Sequence, residues 1–214
     1  MNKWPQAKSA PQKGRSVFSP FSRQAKQWEP HAVRLRALAG CGKFDLLDPY
    51  ALAPKVGLSV LDGHESLALL SVDLRTYLRT EASDHWSGGV LPVPLPDGTY
   101  LCILNPFHPP RRKKITLMEE IAHRFMQHQP SKIVADSSNV LARDFDRKCE
   151  TEAYGIGAAA LLPWTQFFPL MNQGSTISEI ADHFDVSTQL IEYRIKITGA
   201  SRLYRSRQYV GSSK

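Results

Sequence analysis

"LMEEIAHRFMQH", residues 117–128, is the stretch whose reading decides the rest of the chain. A helix is expected from about Ile115 to His128, preceded by the basic run Arg111–Lys114 and stopped by Pro130. Positions four apart on a helix differ by about 40° in azimuth, so Glu119 and His123 project from one face, one turn apart. Two such donors can reach a single cation. Glu120 sits beside them at the next position. His128 lies five residues beyond His123, about 140° away around an ideal helix, and nine beyond Glu119, about 180° away. It therefore points elsewhere unless the helix has already unwound before Gln129-Pro130, and it is assigned a supporting role rather than a place among the donors.

The frame is that of H-E-x-x-H, with Glu119 where the first histidine stands. In that motif the two histidines hold zinc, and the glutamate between them is the general base. Glu120 and His123 occupy their usual places. A carboxylate oxygen is itself a competent zinc ligand at about 2.0–2.2 Å, so Glu119 keeps the pair chemically able to bind. It adds negative charge, which reduces the Lewis acidity of the ion. A catalytic zinc takes three protein ligands, and the third must come from another element. The next helix, from about Cys149 to Leu162, offers Glu150 and Glu152. Glu152 opens an apolar run of Ala153, Ile156, Ala159 and Ala160. An acid there also reads simply as a favourable helix-dipole charge. Gly155, Gly157 and Ala158–Ala160 have little bulk, so this helix can approach another closely.

Around these helices the 214-residue chain is long enough for one sizeable domain with an appendage. Its residues are 42% hydrophobic and 22% charged. Such values are ordinary for a globular protein. No apolar run approaches the ~20 residues that span a bilayer, and no secretory signal is visible. Cys41, Cys102 and Cys149 are far apart with no C-x-x-C pair, which suggests neither a disulfide framework nor a Cys-rich metal site. A reducing cytoplasm is the simplest compartment. The net charge of +7 is uneven: residues 1–36 carry +7, residues 201–214 carry +4, and the middle carries −4. Basic ends can lie along nucleic-acid phosphates, or stay solvated as tails.

Residues 1–30 lack periodicity and read as a disordered basic tail, with an organellar transit peptide as a thin alternative. A short helix is expected over 31–39, another from Asp48-Pro49 to about Gly57, and a strand after it. Val90–Val93 and Thr99–Leu104 flank Pro96-Asp97-Gly98, a hairpin turn, and Pro92 and Pro94 make the first run an edge strand. A charged loop is expected between the two site helices. The expected class is α+β, a small antiparallel sheet on a helical core over 31–170. A helix-turn-helix-like segment follows at 171–200, and a basic tail at 201–214.

The block "EAYGIGAAALLP", 152–163, resembles the "E-A-N-x-F-A-A-x-L-L-x-P" signature of the ImmA/IrrE metallopeptidase family. Upstream, "ILNPFHPPRRKKITLMEEIAH", 103–123, resembles that family's strand, basic turn and "FTLAHELGH" helix. The resemblance runs over about Asp45–Gly199. It implies a zincin-like core with a gluzincin-like zinc site, and proteolysis of transcriptional repressors. Carried over by position, Glu120 is the catalytic acid/base, Glu119 and His123 are metal ligands, and Glu152 is the third ligand. Tyr154 stands where asparagine is usual.

"SEIADHFDVSTQLIEYRI" has a helix-turn-helix pattern, with its turn at Asp185-Val186-Ser187 and Ser187 as N-cap of the second helix. Were it to enter a major groove, Thr188, Gln189 and Arg194 would be the contacts. The plainer reading packs these helices on the core. Three classes of function stay open from sequence: a zinc endopeptidase acting on a protein such as a repressor, a catalytically impaired relative that binds a protein partner, and a DNA-binding regulator. None involves a membrane.

Overall fold

Ser22 opens the first helix, α1 (Arg23–Ala39). Its hydroxyl accepts the Ala25 N–H, and Gly40 closes the helix in the left-handed region at φ 81°. Ala25, Trp28, Ala32 and Leu35 recur at helical spacing and are all buried. The expectation of a tail through residue 30 is corrected from residue 23 onward. Pro30 lies inside α1 on its exposed side. Interior proline costs a helix about 3 kcal/mol. Burial of Trp28 on the proline's own turn offsets much of that. The computed structural model describes residues 19–63, 68, 71–80, 86–129, 132–135, 141–144, 146–201 and 204, so the remainder of the expected tail and the end beyond 204 lie outside it.

Asp48 caps α2 (Pro49–Leu52), which runs into a 3-10 turn ended by Gly57 at φ 75°. Strand β1 (Leu58–Leu61) and helix α3 (Val72–Arg79) follow, then the hairpin of β2 (Gly88–Pro94) and β3 (Tyr100–Leu104). The expected turn is present: the Leu95 N–H donates to the Thr99 carbonyl, and the Asp97 carboxylate accepts the Thr99 N–H. The sheet order is β1-β3-β2, which leaves proline-bearing β2 at an edge. β1 pairs parallel with β3, so the sheet is mixed rather than purely antiparallel. The class is α+β. Where a charged loop was expected, β4 (Lys132–Ala135) and β5 (Leu141–Asp144) pair antiparallel.

Two helices carry the site. The first, α4 (Pro110–Met126), begins on a proline, whose missing N–H is no loss at that position. It ends at Gln127, which adopts φ 56°. The second, α5 (Arg147–Leu161), is capped by Asp146, whose carboxylate accepts the Lys148 and Cys149 N–H groups. They pass in opposite senses: Gly157 meets Met118 while Glu150 meets His123. A Cβ on Gly157 would lie 3.1 Å from the Met118 carbonyl, so glycine permits the close approach. On its other side α5 meets α1, where a Cβ on Gly155 would fall 2.2 Å from the Trp28 ring.

α6 (Trp164–Gln173), α7 (Ile177–Phe184) and α8 (Thr188–Ile197) complete the fold. A capping box between Thr176 and Glu179 starts α7, satisfying orphan amides at both ends of the pair. Asp185 turns the chain at φ 50°. Ser187 then caps α8. Two helices joined by a turn thus occupy the expected stretch, but they are not an appendage. Phe184, Val186, Leu190, Ile191 and Ile195 share one core with α1, α4 and α5. Arg111 and Lys114 of α4 bind Asp185 in the turn, and Arg111 also binds Asp182. The border expected after residue 170 falls inside α6. Arg194 is fully buried, with its guanidinium on Glu29 at 2.5 Å and on the Leu162 carbonyl at 2.9 Å. Its expected role at a DNA groove is corrected accordingly, whereas Thr188 and Gln189 are exposed. Among the described residues, no helix is long and apolar enough to cross a membrane.

Candidate metal centre

The buried face of α4 holds Ile115, Leu117, Met118, Ile121 and Ala122, which fixes the helix's rotation. Glu119, Glu120 and His123 fall at the margin of that face and are half-buried. One ligand atom each from Glu119, His123 and Glu150 lies within 4.8 Å of the others. The His123 Nε2 is 3.4 Å from a Glu150 carboxylate oxygen. Glu152, the expected third donor, is not in this group; its carboxylate is 3.2 Å from the His128 Nε2. The structure thus brings Glu119 and His123 together as expected and puts Glu150 beside them.

The reason is helical phase. Glu150 precedes Gly157 by seven residues, which leaves it about 20° from the residue that touches α4. Glu152 precedes Gly157 by five, about 140° away. The sequence marked several small residues of α5 for close approach without saying which of them meets α4; once Gly157 is known to be the contact, counting back from it selects Glu150. His128 stays outside the donor group, as expected, but its ring does not point away from the site. Gln127 takes the left-handed conformation, and the His128 N–H then donates back to the His123 carbonyl at 3.0 Å. Such a left-handed termination turns the chain back on the helix. The two rings meet as a result, with their Nδ1 atoms 3.1 Å apart.

The electrostatics suit a dication. Glu119 is pushed up to about 8 by burial first, then by the charges of Glu120 and Glu150. Burial also pushes the His123 imidazole below its ordinary value, against the pull of Glu150, so its lone pair is available at neutral pH. An imidazole and two carboxylates are all ordinary zinc donors, and a divalent ion would relieve the crowding of acids. Tyr154 of α5 stacks edge-on against Tyr193 of α8 with ring centres 4.8 Å apart. Burial raises both phenols, and the Glu119 charge adds to the rise. Burial raises the Cys102 thiol of β3, and the Glu120 charge adds to the rise.

A pH dependence follows for the metal-free protein. Glu119 keeps its proton in the folded state up to about pH 8, whereas the unfolded chain releases it near the ordinary glutamate value of 4.5. The folded state binds more protons across that window, so stability falls as pH rises from 4.5 to 8 and levels off above. With solvent reaching the half-buried group, the fall is roughly 2–4 kcal/mol. Glu119→Gln should therefore raise the melting temperature at pH 8, in the presence of chelator, and leave it unchanged at pH 5. Equal shifts at both pH values would contradict a strained Glu119.

No curated protein and no solved structure is similar enough to this chain to supply a named relative. The family model described as the IrrE N-terminal-like domain matches residues 75–196, more than half of the sequence, and that span takes in the site helices as well as α7 and α8. The donors on α4 and α5 thus lie in the matched region, and the chain belongs to this zinc-metallopeptidase family.

Proposed function

We propose that the chain is a zinc-dependent endopeptidase-like protein in which Glu119, His123 and Glu150 hold the ion and Glu120 moves the proton. The observation that carries this reading is the convergence of three donors from two helices within 4.8 Å. Zinc held there supplies Lewis acidity, polarising a peptide carbonyl and making water easier to ionise. Glu120 is fixed next to Glu119 on α4. Its carboxylate takes a proton from the attacking water and returns it to the departing amine. The family supports a polypeptide substrate, and in the family's manner that protein is a transcriptional repressor.

One feature favours a second reading, a weakened peptidase that acts by binding its partner. With Glu119 in place of a neutral donor, two carboxylates and one imidazole leave no net charge on a zinc centre, against +1 for one carboxylate and two imidazoles. The test is zinc content of protein purified without a His-tag, with cleavage of a repressor substrate by wild type, Glu120→Gln and Glu119→His. The peptidase reading expects about one zinc per chain, and activity lost by about 100-fold or more in Glu120→Gln. Tighter zinc and new activity only in Glu119→His would establish the weakened form. Absence of zinc from wild type under saturating conditions would overturn the metal-centre reading.

A further inference from the structure

Residues 1–22 carry four Lys/Arg and no acid, and residues 199–214 carry four and none, at opposite ends of the sequence. The fold brings the inner limits of these two stretches together. The Phe21 and Ser22 N–H groups both donate to the Thr198 carbonyl, and a Cβ on Gly199 would lie 3.3 Å from the Phe21 Cβ. Both acid-free stretches therefore depart from one corner, where α1 begins and α8 ends. We propose that this corner and the adjoining solvent face of α1 bind the phosphate backbone of duplex DNA.

Helix α1 continues the charge along the surface. Arg23, Lys26 and Arg34 are exposed and fall within about 80° of azimuth, over about 16 Å of helix. Among the described residues, no carboxylate pairs with any of the three. The only acid of α1, Glu29, is held by the buried Arg194. The basic run of α4 differs: Arg111 and Lys114 are paired with Asp185, and Lys113 with Asp62. Duplex DNA carries one negative charge per ~1.7 Å of axis, and cations that meet it release condensed counterions. A row of unpaired cations, continued at one end by two acid-free stretches, matches an extended and uniformly charged polymer rather than a single carboxylate. An anionic bilayer would call for bulky apolar side chains beside the charges. The exposed positions of α1 nearest the corner are instead Arg23, Gln24, Lys26, Gln27 and Pro30. The choice of duplex DNA rests on the repressor reading of the substrate: a peptidase held on the same duplex meets a bound repressor at raised local concentration. The corner is at the far end of α8 from Thr188 and Gln189, about 15 Å along the helix.

Fluorescence anisotropy of a labelled mixed-sequence duplex of about 20 bp, titrated with the full chain between about 50 and 200 mM salt, tests the site. Affinity should fall with salt, with a log–log slope of about −0.9 per phosphate contact. Arg23→Ala with Lys26→Ala should flatten the slope by about 2, Arg202→Ala with Arg205→Ala and Arg207→Ala by about 3, and the five together by the sum. Arg23→Lys with Lys26→Arg should keep the wild-type slope, because a phosphate contact needs the charge and little else. Zinc content, and cleavage of a repressor in the absence of DNA, should be unchanged in all of them, so failure of DNA binding and failure of the metal centre are read separately. No binding at the lowest salt overturns the proposal. So does a slope unchanged by either set of alanine variants, or altered by only one set. Loss of binding in Thr188→Ala with Gln189→Ala overturns it by placing the duplex at the other end of α8. Capture by phosphatidylserine vesicles in preference to the duplex overturns it by assigning the corner to a membrane surface.

Discussion

A chain shortened to begin at residue 31 should lose its cooperative thermal transition, while one begun at residue 19 should keep it. The shorter chain removes the Ser22 cap, Ala25, Trp28 and Glu29. Trp28 is 3% exposed and lies directly over Gly155, so no other side chain is poised to fill its volume. Removing a buried tryptophan side chain costs about 3–5 kcal/mol. Deleting Glu29 leaves the fully buried Arg194 guanidinium without its counter-charge. Removal of one partner from a buried pair costs about 3–5 kcal/mol more. Domains of this kind have only about 5–15 kcal/mol in total. Trp28→Ala alone should lower the melting temperature sharply, and Glu29→Ala nearly as much. Calorimetry on the four proteins decides the matter. A 31–214 chain melting within a few degrees of full length would mean that α1 is not part of the core.

The second large effect concerns the third donor. Glu150→Ala should reduce zinc affinity by more than about 100-fold, comparable to His123→Ala, because each removes a donor from a set of three. Among the described residues, no further acid lies in the group. Glu152→Ala should still take up one zinc at saturation. Metal analysis after dialysis against buffered zinc separates the cases: equal stoichiometric loss at 150 and 152 would contradict the geometry, and loss only at 152 would restore the assignment implied by the resemblance.

The local signals that were legible share a property: each is decided within a few residues. The Pro96-Asp97-Gly98 turn, the edge position of β2, the Ser187 cap and the left-handed Asp185 all depend on neighbours in sequence, and all are present. The pairing of Glu119 with His123 belongs to the same class, because a single helical turn fixes it. Failures came where tertiary contacts override local preference. Residues 1–30 read as a tail because they lack periodicity, yet Trp28 and Glu29 find partners more than a hundred residues away. Choosing between Glu150 and Glu152 required knowing which face of α5 meets α4, which Gly157 determines. Arg194 looked like a surface cation because its partner is contributed by α1. The parallel pairing of β1 with β3 has no short-range signature.

The closure between the two ends of the fold bears on how the chain is made. The N–H groups of Phe21 and Ser22 both donate to the Thr198 carbonyl, at 2.9 and 3.1 Å, and the Ser22 hydroxyl donates to the Ile197 carbonyl. These bonds join positions 175 or more apart in sequence. During synthesis α1 leaves the ribosome before its partners, with the Trp28 ring unburied until α5 is made and the charge of Glu29 unpaired until α8 follows. Late partners for an early helix favour slow, concerted completion over stepwise assembly, since the entropy of closing so long a loop is spent before its contacts form. Nascent chains caught between those points present the apolar stripe of Ala25, Trp28, Ala32 and Leu35 to solvent, the kind of surface on which holding chaperones act.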